Sequence, residues 1–148
     1  MDLSIIINDT KVKFRVAGLV QTPRGYLFEK SEKGYIFAIG GKIMLNEDSK
    51  EAIKREIKEE IGLDAEKLNL CAVIENFYKS TTEKVHEICF VYEIDNLYIK
   101  DLPKELVEIP IADIEKHDIR PTPIVGILKS GNKSGNRAFR HIVVKNNL

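Results

Sequence analysis

The chain has 148 residues, of which 43% are hydrophobic and 31% charged, and its 23 Lys plus Arg balance 23 Asp plus Glu. That size and apolar share suit a single domain with a real core, and a formal charge of zero gives no global field to gather nucleic acid or a membrane surface. Cys71 and Cys89 form no CxxC pair and read as buried thiols in a reducing compartment; with no basic n-region and no span of membrane length, a cytoplasmic protein is expected.

Residues 3–7 read as a strand and Asn8-Asp9-Thr10 as a turn. Val12, Phe14, Val16 and the run 17–20 continue as a second strand, rich in β-branched and apolar residues. Pro23-Arg24-Gly25 is turn chemistry, so residues 26–29 are expected to return antiparallel to it. A further turn at 31–34 leads to a short strand at 35–39, which ends at Gly40-Gly41, read as turn formers.

The stretch 41–63, GKIMLNEDSKEAIKREIKEEIGL, organises the chain. Asp48 with Glu51 three residues later makes a capping-box pattern, and Gly62 suits a left-handed helix stop, so a helix should run from that cap to about Ile61. Residues three and four apart share a helix face. Glu56, Glu59 and Glu60 therefore project together, beside an apolar stripe of Ile53, Ile57 and Ile61. Crowding like charges at these spacings costs roughly 0.2–0.5 kcal/mol per pair. A divalent cation turns that cost into coordination, because oxygen ligands suit Mg²⁺ or Mn²⁺. Taken alone, such a charge run is more often a solvated face.

Beyond the helix, residues 68–78 and 85–94 flank a polar segment and read as a long antiparallel hairpin. The stretch 106–110 is short and ambiguous, and 111–117 reads as a helical turn or two. Pro121 and Pro123 fit the start of a helix over 124–129 with a stop at Gly131; a polar loop at 131–136 and a last strand at 138–144 follow. Strands, helix, more strands and a C-terminal helix make a mixed sheet with helices packed on it, of class α+β or α/β.

Gly41, Glu47, Arg55-Glu56, Ile57, Glu59-Glu60, Gly62 and Leu63 fall at spacings that together resemble the Nudix box, with every fixed position filled. The resemblance implies the Nudix fold, an α/β/α sandwich with a mixed central sheet and the box helix packed on it, in one domain over 1–148. It also implies a Mg²⁺- or Mn²⁺-dependent pyrophosphohydrolase acting on a nucleoside diphosphate linked to another group. Carried over position by position, Glu56, Glu59 and Glu60 are the expected metal ligands, with the Gly40 carbonyl as a fourth. Glu56 or Glu60 would orient or deprotonate the attacking water. Arg55 would hold a catalytic carboxylate through its planar fork. Gly41, Glu47 and Gly62 are structural positions of the box. A base outside it has four candidates, Glu83, Glu87, Glu105 and Glu108.

Substrate selection lies outside the box. Arg15, Phe77 and Tyr78 are the candidate substrate contacts; Tyr35 and Phe37 are aromatic alternatives, and Arg137 and Arg140 face either ligand or solvent. His86 reads as a structural histidine. Tyr78 and Lys79 stand where one family subgroup has proline, and Tyr78 only nearly matches the tyrosine of another, so the linked group stays open. The competing expectations are a non-catalytic nucleotide-sensing module, disfavoured because no box glutamate is lost, and an RNA 5′-end pyrophosphohydrolase, disfavoured by the missing basic stripe. The partner expected is a small nucleotide or nucleoside diphosphate derivative, and a homodimer is compatible with the family.

Overall fold

The computed structural model describes residues 1–95, 97–130 and 137–146. The long apolar and β-branched runs become its central strands: β1 (Ser4–Ile7), β2 (Thr10–Gln21), β3 (Tyr26–Lys30), β4 (Ile36–Lys42), β5 (Leu68–Lys79), β6 (Lys84–Ile94), β7 (Leu106–Ile109), β8 (Ile119–Arg120) and β9 (Arg140–Asn146). Two α-helices, α1 (Ser49–Ile61) and α2 (Pro123–Ser130), and a 3₁₀ turn at Ile111–Lys116 complete the described elements. The sheet order is β7-β3-β4-β2-β6-β5-β9, with β1 on β2 and β8 on β4. Pairings β2–β6, β4–β8 and β5–β9 are parallel and the others antiparallel, so the sheet is mixed.

Alternation along β2 divides the interior in two. Val16 and Val20 pack with Ile53 and Ile57 of α1. Ala17 and Leu19 point the other way, into a cluster with Ile124, Ile127 and Leu128 of α2. A helix therefore covers each face of the sheet, the α/β/α sandwich expected. Each fully buried isoleucine contributes roughly 1.5–3 kcal/mol, and Ile53, Ile57, Ile124 and Ile127 lock both helices at fixed rotations.

The structure differs from the sequence reading at three places. Gly40 and Gly41 are not in a turn: they lie within β4, opposite Ala17 and Val16. Chain reversal comes later, at Leu45 and Asn46, where Asn46 takes a positive φ of 69°. The ambiguous stretch at 106–110 forms β7, pairing with β3. The last strand begins at Arg140 rather than 138, because Arg137 is drawn into a buried ion pair before the ladder with β5 starts. The expected helix stop at Gly131 and the loop 131–136 lie outside the described residues.

Candidate metal and substrate site

The α1 start is built as the sequence implies: the Glu51 N–H donates to Asp48 Oδ1 at 2.8 Å and the Asp48 N–H donates to Glu51 Oε2 at 2.9 Å. At the other end Gly62 sits at φ 84°, its N–H donating to the Ile57 and Lys58 carbonyls. With Ile53 and Ile57 pinned to the sheet, Glu56 is turned against Gly41. A Cβ at position 41 would collide with the Glu56 carboxylate, so the glycine leaves that carboxylate its place against the strand.

Arg55 ties this helix to the preceding loop. Its Nε and one terminal nitrogen donate to the two Glu47 oxygens at 2.7 and 2.9 Å, a bidentate pairing that only the planar guanidinium makes. The same fork donates to the Lys42 carbonyl at 3.1 Å and to Glu56 Oε1 at 3.0 Å. Glu47 also accepts from the Met44 N–H. The hydrogen bonds to Arg55 hold the Glu47 carboxyl below its usual range, and those to Glu47 push Arg55 further up.

The three box glutamates do not converge as one cluster. Glu56 is largely covered, whereas the Glu59 side chain is 56% exposed and reaches only Arg55, at 3.5 Å. Among the described residues no three His, Cys, Asp or Glu side chains stand in a ready-made ligand arrangement. What does converge is Glu60 with Glu29, a residue of β3 outside the box. Burial pushes the Glu60 carboxyl up to about 10, and the hydrogen bond and charge of Glu29 and then the charge of Glu56 add to the rise. Burial likewise raises Glu29, against the hydrogen bond to Glu60, which lowers it. Glu60 Oε2 is buried with no hydrogen-bond partner.

An unpartnered buried carboxylate oxygen beside two further carboxylates fits a hard divalent cation, which takes oxygen ligands and removes the repulsion. Glu29 escaped the sequence reading because it lies outside the motif. The available signal was its alternation with Leu27, which puts it on the α1 side of an otherwise apolar strand.

A cavity of about 430 Å³ opens on the α2 side of the sheet, lined among others by Arg15, Phe37, Asn76, Tyr78, Glu87 and Arg120. Val16 and Ala17, also in its wall, are the β-partners of Gly41 and Gly40. Arg15 lies 3.7 Å from Glu87, and its charge acts on Glu29 as well, so it links cavity and carboxylates. Lys13 Nζ donates to the Tyr78 hydroxyl at 3.3 Å. Burial and then the Glu87 charge raise the Tyr78 phenol.

Phe77, next along β5, is not in the cavity lining. Its ring packs on His86 at 4.3 Å, while Lys145 lies 5.6 Å from its centroid. Tyr35 stands outside the lining too, with the Arg120 guanidinium 3.8 Å above its ring. Of the four outlying base candidates, Glu87 alone lines the cavity; Glu108 instead accepts from the Thr22 hydroxyl. Arg137 is buried rather than solvent-facing: it pairs with buried Glu93 at 3.0 Å and donates to the Ile127 and Leu128 carbonyls.

The NUDIX domain profile matches residues 4–124, and the chain belongs to that family. The MutT protein of Bacillus halodurans has a similar structure, with a TM-score of 0.67 and 19% identity over 87% of this chain and 89% of the other. An ADP-ribose pyrophosphatase from Streptococcus suis matches at a TM-score of 0.59 and 14% identity, covering 87% and 98%. The C. elegans Ap4A hydrolase matches at 0.57 and 17%, covering 80% and 94%. These likenesses show the shared fold. No curated protein matches the chain. Among the described residues no helix is long and apolar enough to cross a membrane.

Proposed function

We propose that the chain is a divalent-metal-dependent hydrolase of a nucleoside diphosphate linked to a further group. The observation that carries this reading is the buried, unpartnered Glu60 oxygen, set against Glu29 and Glu56 on a helix whose sequence is a complete Nudix box. Glu56, Glu59 and Glu60, with the Gly40 carbonyl, are the assigned ligands for Mg²⁺ or Mn²⁺. Such a cation, once bound, neutralises charge on the diphosphate oxygens and lowers the pKa of water.

The protein's own groups do the rest. Arg55 holds Glu56 at 3.0 Å in a fixed orientation, so that carboxylate keeps one geometry through turnover. Glu60, once deprotonated, is placed to orient or accept a proton from the attacking water. Glu59, exposed and held only by a 3.5 Å contact, is free to swing inward. Arg15, in the cavity wall, supplies positive charge for the phosphates, and Tyr78 a ring for the base. The similar structures of an ADP-ribose pyrophosphatase and an Ap4A hydrolase support a small nucleotide derivative as substrate. The buried free thiols of Cys71 and Cys89 support a reducing, cytoplasmic setting.

The test is a panel of nucleoside triphosphates, ADP-ribose, dinucleoside polyphosphates and nucleotide sugars with Mg²⁺ or Mn²⁺. Wild-type protein should release phosphate, pyrophosphate or mononucleotide from at least one compound, and chelation or Glu56→Gln should abolish it. Turnover that persists in Glu56→Gln and in Glu60→Gln sinks the assigned site. No turnover combined with a raised melting temperature points to a binding module instead.

A further inference from the structure

We infer that Asn76 and Glu87 form a base-reading pair in the cavity lining that selects guanine, an assignment that rests on the hydrolase reading for its substrate class. The two residues are direct antiparallel partners, Asn76 on β5 and Glu87 on β6, and both line the cavity. Directly opposite residues place their Cβ atoms about 4.5–5.5 Å apart, so the amide and the carboxylate stand side by side.

Asn76 is under-bonded, and the Glu87 carboxylate keeps acceptor capacity to spare. Asn76 Oδ1 is buried without a partner. Glu87 is only 7% exposed, and the Arg15 nitrogen at 3.7 Å is beyond hydrogen-bond distance. Buried polar groups are normally satisfied, and leaving Asn76 Oδ1 unmet is costly. A ligand that meets it relieves that cost, which is how such sites discriminate between analogues.

The pattern on offer is an unpartnered amide oxygen beside a carboxylate that only accepts. Guanine alone among the common bases presents a carbonyl followed by two adjacent N–H donors along one edge. Its N1–H donates to the Glu87 carboxylate and its N2–H to Asn76 Oδ1, the acceptor left without a partner. Adenine and cytosine would set ring lone pairs against the carboxylate. Uracil offers a single N–H between two carbonyls. Tyr78, two residues from Asn76 and also in the lining, has its hydroxyl fixed by Lys13 and supplies a stacking face. Arg15 gives Glu87 a countercharge without occupying its hydrogen-bonding positions. A cavity of about 430 Å³ has the volume for a nucleotide-sized ligand.

Calorimetric titration with GMP, AMP, CMP and UMP, without metal, reads the preference separately from catalysis. GMP should bind at least about tenfold more tightly than the other three, a difference of one good contact set. In Glu87→Gln that margin should fall to within about threefold, because a neutral amide accepts the N1–H more weakly than a carboxylate. With a guanosine-linked substrate and metal, the loss should appear in KM more than in kcat. Equal affinity for the four nucleotides, no binding of any, or an intact GMP preference in a folded Glu87→Gln protein overturns the assignment. Should that variant fail to fold, the wild-type ranking still decides. Hydrolysis without base preference would sink the guanine reading and leave the hydrolase standing; GMP preference without hydrolysis would do the reverse.

Discussion

Arg55 makes contacts that no other cation could make together: both Glu47 oxygens, the Lys42 carbonyl and Glu56. A lysine has one nitrogen and no fork, so Arg55→Lys keeps the charge while releasing Glu56. Misplacing a catalytic carboxylate by about 1 Å costs on the order of 100-fold, so kcat/KM should drop by about that factor. A change of less than threefold would mean that Arg55 only anchors the loop. Glu60 gives a second prediction at this scale, from its carboxyl pushed up to about 10 against an ordinary value near 4.5. Because the folded state holds that proton more tightly, its contribution is complete below about 4.5 and is lost as pH rises toward 10. Metal-free protein should therefore lose melting temperature between pH 5 and pH 9, by the direction of that shift. Glu60→Gln should flatten the slope, and Mg²⁺ should restore more stability at the higher pH, since coordination needs the carboxylate deprotonated. A slope unchanged in Glu60→Gln would place the titration elsewhere. The carboxylates of the box were legible from spacing, but their geometry was not. Helical phase puts Glu59 near Glu60, yet only packing decides that Glu59 leans outward and that Glu29 takes its place beside Glu60.

At the scale of elements, α1 was readable to its ends because each end is written in side-chain chemistry: Asp48 with Glu51 at the start, Gly62 at the stop. The glycines of β4 were misread because glycine signals two different needs. One is a positive φ, as at Gly62; the other is room for a neighbour, as at Gly41, and the residue type alone does not separate them. The second need gives a test. In Gly41→Ala the added methyl strikes the Glu56 carboxylate, while the strand backbone can remain extended. Affinity for Mn²⁺, followed by its paramagnetic resonance signal, should fall about tenfold or more, with the far-ultraviolet dichroism unchanged, since one misplaced ligand costs at least that. Undiminished Mn²⁺ binding would separate Glu56 from the metal. The pairing of β7 with β3 was hidden for another reason: four residues are too few to carry a periodicity, and their strand character comes from a neighbour distant in sequence.

Across the whole molecule, the sheet separates two interiors that must be held in register, since the carboxylates approach β4 from the α1 side while the cavity opens toward α2. The α2 side is fastened by an ion pair that sequence could not show. Arg137 and Glu93 are separated by forty-four positions, and their side chains are 3% and 1% exposed. Arg137 also caps the end of α2 through the Ile127 and Leu128 carbonyls, so one side chain binds that helix to β6. Removing one partner of a buried pair typically costs about 3–5 kcal/mol, because the other charge stays desolvated. Arg137→Met should accordingly destabilise the fold by roughly that amount in urea unfolding. Glu93→Gln combined with Arg137→Met should cost less than the sum of the two single changes, because the double variant buries no charge and the residues are in contact. Additive effects would show that Arg137 acts through the α2 carbonyls alone. Because α2 begins directly after Pro121 and Thr122 of the cavity wall, the same single variant should also weaken nucleotide binding, and an unchanged Kd would show that the cavity keeps its shape without the fastening.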